Sequence, residues 1–254
     1  MRLTRAEVEA YRALRTKEGR SAAGRFLLEG WRNLAAAVAA QAPIVSVAVR
    51  TEDIGRPELA AIRDVPIRTI AERDLQRISA TEHSQGVIAQ VEIVRHDIQK
   101  LWSPGDRLVL ALDGVADPGN VGTIVRTADW FGAGGVVLGP GCVDPFNEKV
   151  VRATAGSLFH LPVIPAAPWP EILLTARSAG FSIVAADARG SVDLDNWRAP
   201  NRCVLVLGSE AHGVSPAVVE LANATVSIPR RGRAESLNVA VATGLLLHHA
   251  AKTW

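Results

Sequence analysis

Apolar positions recur at helical spacing over residues 7–14, and Phe26-Leu27-Leu28-Glu29 is a short apolar run ahead of a second helix over 31–40. Runs of β-branched residues predict strands over 45–50, 67–70 and 87–94, with helical pieces over 57–63 and 72–78. Together these make a small α/β unit. A polar stretch, Arg95-His96-Asp97 through Ser103-Pro104-Gly105-Asp106, interrupts the pattern, and its Pro-Gly step marks a connection. The expected domains are 1–98 and 106–254.

The second part alternates more regularly. Strands are expected over 108–112, 135–138, 161–164, 182–186, 203–207 and 225–228, and helices over 120–131, 148–155, 170–179 and 216–222, with a long last helix from Leu237. Such alternation predicts a mostly parallel sheet covered by helices on both faces, with ligands at the carboxyl ends of its strands.

Composition narrows the class. With 254 residues, 48% of them hydrophobic, the chain has material for a large core, and it has no run of the roughly 18 apolar residues that a membrane span needs. The start, MRLTRAEVEAYRALR, is too charged for a signal peptide, so a cytoplasmic protein without a membrane partner is expected. Cys142 and Cys203 belong to no CxxC or Cys/His cluster, which argues against a disulfide framework and a metal site. His248 and His249 are adjacent and diverge by about 100° on a helix, so they are not an i, i+4 ligand pair.

A net charge of +2 does not announce a polyanion binder. Its distribution is more telling. Arg2, Arg5, Arg12, Arg15, Lys17, Arg20 and Arg25 outnumber Glu7, Glu9 and Glu18 near the start, and Arg230, Arg231 and Arg233 form a second cluster.

Familiar nucleotide and hydrolase motifs fail. After the strand at 135–138, Gly139-Pro140-Gly141-Cys142-Val143-Asp144 lacks the third glycine of a dinucleotide fingerprint, and no GxxxxGK[ST] loop is present. Gly208-Ser209-Glu210-Ala211-His212-Gly213 is not a GxSxG elbow.

Three strand-to-helix loops carry unusual chemistry instead. Asp117-Pro118-Gly119-Asn120 opens a helix, with Asn120 expected as its N-cap, and Arg126 follows on an otherwise apolar helix. Leu207-Gly208-Ser209-Glu210 puts a carboxylate beyond a buried strand, beside glycines that permit close backbone approach. Ile228-Pro229-Arg230-Arg231-Gly232-Arg233 leads through a basic loop to Ser236, a candidate N-cap, and to Asn238, whose amide needs partners.

These residues closely resemble the SpoU (TrmH-type) RNA 2′-O-ribose methyltransferases of the SPOUT superfamily. The resemblance lies in N-x-G-x-x-x-R at Asn120, Gly122 and Arg126, in L-G-x-E-x-x-G at Leu207, Gly208, Glu210 and Gly213, and in S-L-N-V-A-V-A from Ser236 to Ala242. Lys149-Val150-Val151-Arg152-Ala153-Thr154-Ala155-Gly156 adds to it, and the likeness covers residues 108–250. More weakly, Gly24-Arg25-Phe26-Leu27-Leu28-Glu29-Gly30 and Thr81-Glu82-His83-Ser84-Gln85-Gly86-Val87 resemble the small ribosomal-protein-like substrate domain that many members carry.

The resemblance implies an α/β fold: a C-terminal trefoil-knotted methyltransferase domain with a parallel sheet, and a small N-terminal α/β substrate-binding domain. It implies S-adenosylmethionine as cofactor, held by Leu207, Gly208, Gly213, Ile228, Pro229 and Leu237, and a homodimer formed through the C-terminal domain. It implies methyl transfer to a ribose 2′-oxygen at a site made of Arg126, Asn120, Glu210, Ser236 and Asn238. Positioning without covalent chemistry can supply roughly 7 to 11 kcal/mol of such a barrier. A guanidinium keeps its proton at neutral pH, so Arg126 is expected to fix the target phosphate and ribose while the other four order the pocket and proton path.

RNA contacts are expected at Arg25, Arg152, Arg230, Arg231 and Arg233. Arg230 departs from the family, which commonly has methionine after this Ile-Pro. The N-terminal domain points to 23S rRNA, with a tRNA 2′-O-methyltransferase or an inactive RNA-binding member as alternatives.

Overall fold

The computed structural model describes residues 1–81, 84–102, 105 and 108–252. In chain order, α1 (Arg5–Ala13), α2 (Lys17–Ala23), β1 (Arg25–Glu29), α3 (Trp31–Ala39), β2 (Ile44–Arg50), β3 (Ile67–Ile70), α4 (Glu72–Ile78) and β4 (Val87–Glu92) form the first stretch. Then come β5 (Leu108–Asp113), α5 (Pro118–Trp130), β6 (Gly135–Leu138), α6 (Glu148–Thr154), β7 (Val163–Ile164) and α7 (Glu171–Ser178). The chain continues with β8 (Ser182–Ala186), β9 (Val192–Asp193), β10 (Cys203–Gly208), α8 (Pro216–Leu221), β11 (Ala224–Ser227) and α9 (Val239–Ala251). Ser103, Pro104 and Asp106 of the expected connection, and Glu82 and His83 of the weaker motif, lie outside the described residues.

Two compact units result. One joins Met1–Val94 to Phe146–His160, and the other holds the rest of the described chain. The first has a four-stranded sheet in the order β1-β4-β2-β3, antiparallel except for the parallel pair β2 and β3. On one face Val8 and Tyr11 of α1 and Leu75 and Ile78 of α4 pack with Leu27, Ala48, Ile70 and Ile88. Helix α1 opens with a capping box, Thr4 and Glu7 each satisfying the other's backbone N–H. Helix α2 has no apolar stripe for the periodicity to register; it stands between the Thr16 cap and Gly24 at φ 63°.

Residues 146–160, expected in the second domain, pack instead on the first. The reason is aromatic: Phe26 of β1 meets Phe146 at 5.3 Å and Phe159 at 6.4 Å between ring centroids. Gly156, at φ +103°, lies so close to α3 that an added Cβ would sit 2.7 Å from that of Ala36. The helical piece expected over 57–63 shrinks to a single 3-10 turn, Pro57–Leu59.

The second unit has seven strands in the order β7-β6-β5-β10-β8-β11-β9, all parallel. From β5 the chain passes through α5 to β6 on one side, whereas from β10 it passes through α8 to β11 in the opposite direction. The carboxyl ends of β5 and β10 therefore flank a topological switch point, the crevice where ligands settle in open parallel sheets. Ala111, Val137, Ile183, Val204 and Val206 pack with α7 and α8 on one face, and α9 packs against β10 and α5.

Candidate active site

The switch point gathers the three loops singled out above. Asp117 caps α5, its Oδ1 accepting the Asn120 N–H at 2.8 Å, with Pro118 at the first helical position. Asn120 is thus not the N-cap expected from sequence. Its side chain bonds elsewhere, where Nδ2 donates to Glu210 Oε1 at 3.1 Å and Oδ1 accepts from Asn238 Nδ2 at 2.8 Å.

Asn238 closes the ring by donating to Glu210 Oε1 at 2.8 Å, while its Oδ1 accepts from Ala240 N and Val241 N and so caps α9. The last helix therefore starts at Val239, not Leu237, and Asn238 takes the capping role proposed for Ser236. Ser236 is exposed and hydrogen-bonds to no other described residue. Val239 N also donates to Glu210 Oε1 at 3.3 Å, so this carboxylate lies at the positive end of α9. Glu210 Oε2 accepts no hydrogen bond from the described residues.

Glycine geometry presents that carboxylate. Ser209 N donates to Gly213 O at 3.1 Å and Gly213 N to Ser209 O at 2.8 Å, pinching 209–213 into a tight loop. A Cβ on Gly208 would lie 2.0 Å from the Gly213 carbonyl carbon, and Gly213 itself sits at φ +67°. The close approach foreseen at these glycines is made by the loop to itself. Asp113, at the end of β5, fastens the neighbouring loop by accepting from Ser215 N at 2.7 Å. Sequence reasoning missed Asp113 and Asp117; Asp followed by Pro at a strand-to-helix turn was the available signal for the second.

Arg126 lies two turns into α5, exposed, without a hydrogen bond or ion pair to the described residues. Ile228 and Pro229 are half-buried at the exit of β11, and Leu237 is 47% exposed. Leu207 is 1% exposed, its side chain in the core, which leaves only its backbone for the sheet edge. Arg230, Arg231 and Arg233 are exposed and unpaired among the described residues. Arg25 and Arg152 fall in the first unit: Arg25 is half-buried and reaches Gln90 Oε1 at 3.5 Å, and Arg152 is exposed on α6.

A catalytic class emerges from this geometry: a parallel α/β protein whose switch point holds a hydrogen-bonded Asn-Glu-Asn ring, with an exposed arginine on α5 that pairs with no described residue. Residues 107–248 match the SpoU rRNA Methylase family, and residues 5–89 match the MRM3-like substrate binding domain. The chain belongs to the SpoU methylase family.

Among its relatives is the 23S rRNA (guanosine(2553)-2′-O)-methyltransferase RlmP of Bacillus subtilis, 30% identical over 96% of this chain and 95% of that one. The 23S rRNA (uridine(2479)-2′-O)-methyltransferase of Streptomyces viridochromogenes is 30% identical over 94% and 86%. The structure of AviRb from the same organism in complex with AdoMet superposes with a TM-score of 0.88, at 29% identity, over 98% of both chains.

Proposed function

We propose that the protein transfers a methyl group from S-adenosylmethionine to a ribose 2′-oxygen of 23S rRNA. The observation that carries this is the ring in which Asn120, Glu210 and Asn238 meet at the switch point, one residue from each motif. Full-length similarity to two 23S rRNA 2′-O-methyltransferases supports the substrate class.

The residues present fit the cofactor. Ile228, Pro229 and Leu237 offer apolar surface to a flat ring. When bound, S-adenosylmethionine supplies an electrophilic methyl group on a sulfonium. The protein's part is positioning. Asn120, Glu210 and Asn238 keep the pocket edge in one arrangement, and the Arg126 guanidinium, with no partner among the described residues, is free to grip a phosphate and orient the ribose. Arg230, Arg231 and Arg233 add phosphate contacts.

The same reading includes the trefoil knot of the family, formed as the chain returns from β11 to bring Asn238 against Glu210. It includes a cytoplasmic homodimer through α5 and α9, whose Trp130, Val241 and Leu245 are 84%, 54% and 43% exposed. No described helix is long and apolar enough to cross a membrane.

The test is methyl transfer from labelled S-adenosylmethionine into total RNA of a strain lacking the gene, with rRNA and tRNA separated. Label at an alkali-resistant ribose of 23S rRNA, lost in Arg126→Ala, is the expected result. Label in tRNA would overturn the substrate, and no label despite cofactor binding would overturn the activity.

A further inference from the structure

We propose that Arg15 and Arg152, extended by Lys149, form an RNA phosphate-contact patch on the first unit, and that Glu148 is an internal competitor for it. This rests on the reading of the protein as an RNA-modifying enzyme.

Glu148 opens α6, and its Oε1 is buried without a hydrogen bond. Its near neighbour is Arg15 Nε at 3.7 Å, too long for a hydrogen bond, and the Arg15 side chain stays 42% exposed. Arg152, one helical turn further along α6, acts on the same carboxylate through space, as does Arg20. Arg15 lies within ion-pair distance of Glu148 among the described residues, while Arg20, Arg152 and Glu29 also act on its charge.

Glu29 is already committed. It accepts from Ser79 Oγ, Thr81 Oγ1 and Ala80 N, fastening β1 to the loop after α4. Arg20 is committed too, 3% exposed and donating to Leu14 O and Arg15 O at the end of α1. Arg15 and Arg152 remain exposed, and the one carboxylate that acts on both is loosely held by Arg15. Lys149, also exposed, pairs with nothing described and stands three residues before Arg152 on α6.

A group carrying two or more strong acceptor oxygens would satisfy both forks better than Glu148 does, since phosphate accepts bidentate guanidinium contacts. Phosphates strung along an RNA strand also suit the spread of cations from Arg15 to Lys149. Displaced from Arg15, Glu148 repels the same phosphate, so the carboxylate sets a threshold that weak polyanions do not pass.

The experiment is nitrocellulose filter binding of full-length chains to a 23S rRNA transcript across a salt series. Arg15→Ala and Arg152→Ala are each expected to lower the slope of log K against log salt by about 0.7–0.9, and the double variant by about twice that. Glu148→Gln is expected to tighten binding about two- to fivefold, the size of one released ion pair. Cofactor affinity by calorimetry and the melting transition are read on every variant. If an alanine variant loses its melting transition, Arg15→Gln and Arg152→Gln replace it.

An unchanged slope in a folded double variant overturns the patch, as does weaker or unchanged binding by Glu148→Gln. The two proposals fail separately. A chain that binds the transcript but methylates nothing defeats the proposed activity alone, whereas an unchanged slope with intact methylation defeats the patch alone.

Discussion

Two glutamates in this molecule stand in opposite situations. Glu210 is exposed, yet one of its oxygens accepts from Asn120, Asn238 and the Val239 backbone. Glu148 is largely buried, with a side chain 15% exposed, yet its Oε1 accepts nothing. Burial pushes the Glu148 carboxyl above its ordinary range; Arg15 opposes the shift and Glu29 adds to it, with Arg20 and Arg152 on the side of Arg15. A carboxylate that organises a site is thus recognised by donors converging on it from distant segments, and depth in the fold is no guide.

The largest effect that sharpens the contrast is on Arg126, the exposed cation of α5 that pairs with no described residue. Arg126→Ala is expected to cut kcat for methyl transfer by about a hundredfold or more, with cofactor affinity retained. Arg126→Lys should recover little, because a point charge does not replace a planar fork. Substantial recovery by lysine in single-turnover assays would break the positioning role.

Next in size is Gly208→Ala. Its Cβ would fall 2.0 Å from the Gly213 backbone, so the loop must open. A loss of about 1–3 kcal/mol in urea unfolding, together with activity, is expected.

Glu210 itself separates two roles. Glutamine keeps an Oε1 able to accept from Asn120, Asn238 and Val239, whereas alanine keeps none. Glu210→Ala is expected to lose activity and about 1–3 kcal/mol of stability, and Glu210→Gln to retain most of both. A glutamine variant that is stable but inactive would make Glu210 the proton acceptor instead.

The smallest effect belongs to Glu148. A carboxyl whose pKa is higher folded than unfolded binds more protons in the native state, so its contribution to stability falls as pH rises through that interval. Glu148→Gln should therefore raise the melting temperature at neutral pH, with the gain disappearing at pH values below the ordinary carboxylate range. A gain that persists in acid would assign the effect to packing.

Much of this site was legible in sequence, because the motifs at Asn120, Glu210 and Asn238 are local and each stands at a strand-to-helix turn. The parallel sheet was legible too, in the alternation of apolar runs with helical spacing. Cap positions were not. Asn120 and Asn238 are both good N-cap residues, and which one caps depends on partners 90 and 118 positions away. Nor did the apolar pattern disclose whose core Phe146 and Phe159 would enter: a phenylalanine records that it will be buried, not against what. The meeting with Phe26 is a fact of tertiary structure.

That meeting bears on how the protein is made. A ribosome builds the chain from its N-terminus, and β1 to β4 are finished by Glu92. The aromatic cover for Phe26 is not complete until Phe159 has been added. At about 5–20 residues per second, the apolar face of β1 waits about 3 to 13 seconds for its own missing piece. During that interval the nascent first unit leaves the ring of Phe26 without its aromatic cover.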